Sequence, residues 1–179
     1  MTTPFRSVIT GGPGSGKSTL LQEIAVTGIT TFPEVARAIL QAPEGMALRA
    51  ECPTAFAQAM FEAELQAWNA APVGPSLYDR GFPDIAGFLQ LEGLPIPAAL
   101  ERACREFRYN GPVFRAPPWR EIYTPDEERI QDWDEAVASD AAVSLAWAHY
   151  GYQLIDLPMA SVSERVDFVR SYLEGFDKL

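Results

Sequence analysis

The segment Gly11-Gly12-Pro13-Gly14-Ser15-Gly16-Lys17-Ser18-Thr19 holds the residues of this chain whose types and spacing speak most directly of chemistry. Gly11, Gly16, Lys17 and Ser18 occupy the required places of the pattern GxxxxGK[ST]. Glycines let backbone N–H groups turn inward on an anion without obstruction by side chains. A helix beginning at Lys17 adds its free N–H groups and the positive end of its dipole. The Lys17 ammonium suits the outer phosphates of a nucleoside triphosphate, and the Ser18 hydroxyl suits Mg2+. Lysine is otherwise confined to Lys178. The expected cofactors are therefore ATP, or a close relative, and Mg2+.

Other residues narrow the class. A guanine-reading NKxD segment does not occur in the sequence. Asp84-Ile-Ala-Gly87 spells DxxG, but it falls within a helical pattern and is read as coincidence. Leu77-Tyr78-Asp79-Arg80-Gly81 follows an apolar stretch where a mechanical ATPase would show Asp-Glu. Asp followed by Arg suits a phosphotransferase better. Asp79 can hold Mg2+ or accept a hydroxyl proton, and Arg80 can steady a transferring phosphate. Glu34 and Arg37 stand after a second extended piece, at the rim where an open parallel sheet places its ligands, and could hold or deprotonate a substrate hydroxyl. An exposed helix pair is the alternative for them.

The chain of 179 residues carries a net charge of −10, with 47% apolar and 21% charged residues, the profile of a globular protein. Such acidity argues against a broad hold on nucleic acid. From Arg102 to Arg120, however, five arginines face a single acid, Glu106, so this stretch carries +4 and the remainder −14. That suggests a local anion site, with a salt-bridged helix face as the alternative for Arg102, Arg105 and Arg108. No apolar run is long enough to span a membrane, and the first residues lack the pattern of a secretory leader. Cys52 and Cys104 fit no metal or redox spacing and are expected reduced, in the cytoplasm. His149 is given a packing or capping role, and Trp119 an anchoring one.

These groups need elements to position them. The periodicity predicts strands over Phe5–Thr10, Ile29–Phe32, Ser76–Asp79, Pro112–Arg115 and Tyr152–Leu157. Helices are expected over Lys17–Thr27, Val35–Leu40, Pro53–Trp68, Pro83–Leu91, Pro97–Tyr109 and Thr124–Tyr150, with a last one capped by Ser161 and Glu164. In the long helix, Ile130, Trp133, Val137, Ala141 and Leu145 are expected in the core. Strands alternating with helices predict an α/β fold, a parallel five-stranded sheet with helices on both faces, built as one domain over residues 1–179.

The string ITGGPGSGKSTL, followed by PEVAR, YDRGFPD, YNGPVF and PPWREIYTPDEER, resembles a family of small P-loop NTPases labelled AAA-type ATPase or ATP-binding domains. These are similar to the kinase domain of ribosylnicotinamide kinases and to the nucleotide-binding domain of the TRPL translocation defect protein. The resemblance runs from residue 7 to about 174. It implies a kinase-like three-layer fold with a lid at roughly 115–129, Gly11 to Thr19 as the phosphate loop, and Asp79-Arg80 as the metal and catalytic pair. Arg129 and Arg120, and after them Arg115, are the lid arginines expected to reach phosphate. The expected activity is Mg-dependent transfer from ATP to a small hydroxyl acceptor such as a nucleoside or ribosyl compound. An ATPase without acceptor and a non-enzymatic nucleotide-binding regulator are the alternatives.

Overall fold

Five short apolar runs form a wholly parallel sheet: β1 (Pro4–Thr10), β2 (Thr30–Phe32), β3 (Gly74–Asp79), β4 (Val113–Arg115) and β5 (Leu154–Asp156), in the order β2-β3-β1-β4-β5. The computed structural model describes residues 3–123 and 132–176, with side chains to residue 174. Parallel neighbours cannot be joined by tight hairpins, so the chain returns through helices. These are α1 (Lys17–Val26), α2 (Val35–Gln41), α3 (Gly45–Glu51), α4 (Pro53–Ala70), α5 (Phe82–Leu91), α6 (Ala98–Glu106), α7 (Trp133–His149) and α8 (Val162–Phe176).

Alternation along the strands divides the interior into two cores. Val8, Tyr78 and Val113 face one way, onto Phe56, Phe82 and Trp147. Ile9, Leu77 and Phe114 face the other, onto Leu20, Ile24, Val169 and Leu173. Helices α1 and α8 seal this second face; α4, α5, α6 and α7 supply the first. The expected three-layer α/β fold is the fold found. β1 lies at the centre of the sheet, and β3 and β4 flank it. The ends of these strands therefore set the loop after β1 beside the loop after β3.

Three expectations need correction or restriction. Helix α3 was not expected; it follows a turn in which Glu44 adopts φ 65, and it packs against α4. The helix start expected at Thr124 lies outside the described residues, whereas the described helix begins at Trp133. There Asp132 accepts from the Glu135 amide and Glu135 accepts from the Asp132 amide, both at 2.9 Å, a reciprocal cap. The buried face of α7 is also not the one expected. Val137 and Leu145 are 39% and 70% exposed, Ala141 is exposed too, and Ile130 lies outside the described residues. Ala136, Asp140, Val143, Ala146 and Trp147 are buried instead. The reason is close approach: a Cβ on Gly87 of α5 would stand 2.8 Å from the Val143 Cα. The α7 backbone comes that near to α5 at Val143, which turns this face inward and places Trp147 in the core beside it. The cap of α8 is as expected, with the Ser161 amide donating to Glu164 Oε2 at 3.0 Å.

Candidate active site

The loop leaving β1 turns through Gly11–Gly16 into the first turn of α1. Gly16 adopts φ +78, a conformation that favours glycine, and its missing Cβ would stand 2.9 Å from Arg165 Nη1. A Cβ on Gly12 would meet the Ala136 carbonyl at 2.5 Å, which seats the loop against α7. Lys17 is buried, and its ammonium donates to the Gly11 and Gly12 carbonyls at 3.1 and 2.6 Å and to Ser15 Oγ at 3.3 Å. Burial first, and the Arg80 charge second, push its pKa down to about 8. Ser15 is also buried, its hydroxyl donating to the Gly12 carbonyl, while Thr19 is exposed.

At the end of β3 four charged groups meet. The Ser18 hydroxyl donates to Asp79 Oδ2 at 3.3 Å, joining the phosphate-loop helix to the neighbouring strand. Asp79 Oδ1 is buried with no hydrogen-bond partner. Burial, and then Glu34, push the Asp79 carboxyl up to about 6. Arg80 adopts φ 74, a left-handed conformation that costs a non-glycine residue energy and persists only where its surroundings impose it. They do so here. Its amide donates to the Ile9 carbonyl, its Nε to Glu34 Oε1 at 2.7 Å, and its Nη1 to Asp84 Oδ1 at 3.2 Å. Desolvation alone would raise the Glu34 carboxyl, but Arg80 and Lys17 outweigh it and hold Glu34 below its ordinary range. Arg37 adds to that field from the exposed face of α2.

Asp84, set aside in the sequence as part of a coincidental DxxG, is buried at the centre of this arrangement. It accepts from the Thr10 hydroxyl, the Gly81 amide at 3.0 Å and Trp147 Nε1 at 2.9 Å, besides Arg80. Its signal was available: an acid at the third position of a helix is placed to cap it. Arg165 was not foreseen at all. It is 3% exposed, its Nη2 donates to the Ser15 carbonyl at 3.2 Å, and its Nε has no partner. No carboxylate among the described residues pairs with it, and desolvation pulls its pKa down.

In the arginine-rich stretch three of the five arginines are tied to neighbouring groups. Arg105 pairs with Glu101 at 2.6 Å, and Arg108 donates to the Tyr150 carbonyl and lies 3.8 Å over the Tyr152 ring. Arg102 is exposed. Arg115 is bound to Asp140 at 2.6 Å and Asp156 at 3.2 Å, so its guanidinium is already satisfied. Arg120 is exposed, 5.1 Å over the Trp133 ring. Arg129 lies outside the described residues, as does part of the expected lid. His149 is exposed and rests edge-on to Tyr150, in keeping with a packing role.

A cavity of about 110 Å3 opens beside this cluster. Glu34, Arg80 and Asp84 line it together with Phe56 and Phe88, and Arg49 is also in its wall. The protein oxygens at Ser18 and Asp79 are of the hard type that Mg2+ prefers, and the orphaned Asp79 Oδ1 is an available ligand atom. Among the described residues no group of three or more His, Cys, Asp or Glu converges on one point.

A phosphate loop after the central strand, an Asp-Arg pair ending the adjacent strand, and the order β2-β3-β1-β4-β5 define a P-loop NTPase of kinase-like topology. The chain belongs to the family described as "AAA domain", whose model matches residues 6–165. It is similar in fold to deoxyadenosine kinase from M. mycoides, solved with dCMP and dCDP: TM-score 0.68, 14% identity, 95% of this chain and 99% of that one. Shikimate kinase from Aquifex aeolicus aligns with TM-score 0.59 and 13% identity over 96% and 98% of the two chains. NadR protein in complex with NR aligns with TM-score 0.67 and 16% identity over 97% of this chain and 51% of that one. No curated protein matches the sequence.

Proposed function

We propose that the protein is an ATP- and Mg2+-dependent kinase of a small hydroxyl compound, such as a nucleoside or ribosyl compound. The observation that carries this reading is the cavity beside the charged cluster at the end of β3, walled by Glu34 and Arg80. A site built for water needs no such chamber, whereas an acceptor molecule does. The solved structures of similar fold, named as deoxyadenosine and shikimate kinases, are in keeping with it.

In this mechanism the amides of Gly12–Thr19 and the Lys17 ammonium bind the phosphates. Ser18 and Asp79 would hold Mg2+, which when bound neutralises charge on the β- and γ-phosphates. The acceptor hydroxyl enters from the cavity, and Glu34, kept ionised by Arg80, takes its proton. The acceptor oxygen bonds to the γ-phosphorus, the bond from that phosphorus to the β,γ-bridging oxygen breaks, and ADP departs with the electron pair. Arg80, fixed between Glu34 and Asp84, steadies the transferring group. Asp79 is the other carboxylate able to take the proton, but it is not in the cavity wall. The chain works as one domain in the cytoplasm, with roughly 115–129 as a lid from which Arg129 and Arg120 add positive charge.

The test is γ-phosphate transfer from Mg-ATP to a panel of nucleosides, ribosyl compounds and other small alcohols, read by mass spectrometry. The Lys17→Ala protein is the blank. A phosphorylated product that vanishes in the variant is the expected result. Release of free phosphate alone, unaffected by any alcohol, would replace the kinase with an ATPase. Nucleotide binding without turnover would make the protein a regulator.

A further inference from the structure

Glu64 has no part in the mechanism above, yet it is a carboxyl 3% exposed in the wall of the same cavity. It sits on α4 between Met60 and Trp68, in the core that also contains Phe61 and Phe82. No arginine or lysine among the described residues pairs with it. Its hydrogen-bond partner is Tyr109, and the geometry of that contact is directional. The Phe82 amide donates to the Tyr109 oxygen at 3.3 Å, and the Tyr109 hydroxyl donates to Glu64 Oε1 at 2.8 Å. Tyr109 is itself clamped, since a Cβ on Gly81 would stand 2.6 Å from its oxygen. The chain of donors starts on the segment that carries Arg80 and ends on Glu64. With the Tyr109 proton committed to Oε1, a proton on Glu64 belongs to its other oxygen.

A buried carboxyl without a cation is favoured in its neutral form. Burial pushes Glu64 up to about 8, against the Tyr109 hydrogen bond and helped by the charges of Asp84 and Asp79. At neutral pH it is then an acid with a hydrogen bond to give, in a wall otherwise apolar at Phe56, Met60, Ile85, Phe88 and Val143. The other charged groups of that wall are Glu34, Arg49, Arg80 and Asp84. The cavity, about 110 Å3, is smaller than the roughly 150 Å3 that holds a benzene ring in an apolar core, so it excludes two fused rings and takes one ring only with part of it in the open mouth.

We propose that Glu64 sets the specificity of the acceptor pocket, donating a hydrogen bond to a carbonyl or ring nitrogen on an uncharged single ring seated against the edge-to-face pair Phe56 and Phe88. This rests on the kinase reading for the name of the pocket, but not for the recognition itself. A role for Glu64 confined to holding Tyr109 would leave ligand preference unchanged once the protein is folded.

The experiment is calorimetric binding of uridine, and of the ribosyl benzene that lacks its carbonyls, with Mg2+ and a non-hydrolysable ATP analogue. The wild type, Glu64→Gln and Glu64→Leu are compared at pH 6 and pH 8, where the uridine imide stays protonated, after thermal unfolding has shown each variant folded. The wild type should prefer uridine by about tenfold, the worth of one buried hydrogen bond. Glu64→Leu should erase the preference and Glu64→Gln should keep most of it. Raising the pH should weaken uridine binding to the wild type about twofold relative to Glu64→Gln at the same pH. A preference that survives in Glu64→Leu overturns the proposal, as does wild-type affinity that is flat or rising with pH. Failure of uridine to bind overturns it too, and transfer from ATP to another alcohol by that same protein leaves the kinase reading standing. Glu64-dependent binding without phosphoryl transfer to any compound upholds the proposal and sinks the kinase reading.

Discussion

Arg80 is gripped from two sides, by Glu34 at 2.7 Å and by Asp84 at 3.2 Å, while its backbone holds φ 74. Both acids line the cavity, Glu34 from the N-cap of α2, while Asp84 also anchors the core through Trp147 and Thr10. A strained residue fixed in this way is preorganised, so its guanidinium need not be ordered when a charged ligand arrives. The two acids are therefore expected to respond differently to substitution.

Glu34→Gln removes the proposed proton acceptor but leaves Arg80 tied to Asp84. The expected result is a kcat lower by about 10²–10⁴-fold, with the KM for ATP and the melting temperature little changed. Steady-state kinetics beside thermal unfolding check this. A kcat within a few-fold of wild type would move the proton to Asp79.

Asp84→Ala should act mainly on stability. It strands the Trp147 N–H, the Thr10 hydroxyl, the Gly81 amide and the Arg80 guanidinium in a buried setting. A loss of about 3 kcal/mol or more is expected, read from denaturant midpoints, with Asp84→Asn milder because it keeps an acceptor.

Ser18→Ala should raise the Mg2+ concentration needed for half-maximal activity by about tenfold or more. Asp79→Asn should do the same, and the double variant should fall short of the sum, because Ser18 and Asp79 share a hydrogen bond at 3.3 Å. A metal titration of activity decides. Additive effects would mean the two act on different ligands.

Arg165→Met separates binding from architecture. Removing a buried cation without a carboxylate partner among the described residues takes away a desolvation cost, so stability should hold or rise. The KM for Mg-ATP should rise several-fold, as positive charge is lost behind the phosphate loop. A fall in melting temperature with an unchanged KM would make Arg165 a strut for the Ser15 carbonyl only.

Glu64 gives stability a pH dependence of known sign. Its folded pKa of about 8 exceeds the ordinary 4.5, so the folded state binds the extra proton between those values. That contribution is complete below 4.5 and lost as pH rises toward about 8, a change on the order of a few kcal/mol. Glu64→Gln should flatten this slope and gain on the wild type at pH 8, measured by urea unfolding across the range.

What the sequence alone determined is local. The loop from Gly11 to Ser18 is legible because glycine dihedrals, the start of α1 and the Lys17 and Ser18 side chains all act within a few residues. The sheet is legible because apolar strands alternating with helices can bury their faces in few ways. Asp79 and Arg80 could be picked out because the end of a parallel strand is where ligands gather. The tertiary structure decided the rest. Trp147 reaches Asp84 across 63 residues, Arg165 reaches Ser15 across 150, and Tyr109 reaches Glu64 across 45. The inward face of α7 followed from close approach to Gly87 and not from its own most apolar stripe. Periodicity says that a helix has an inside, but which polar groups share that inside depends on packing between segments far apart in the chain. The pairing of a buried charge is settled only there.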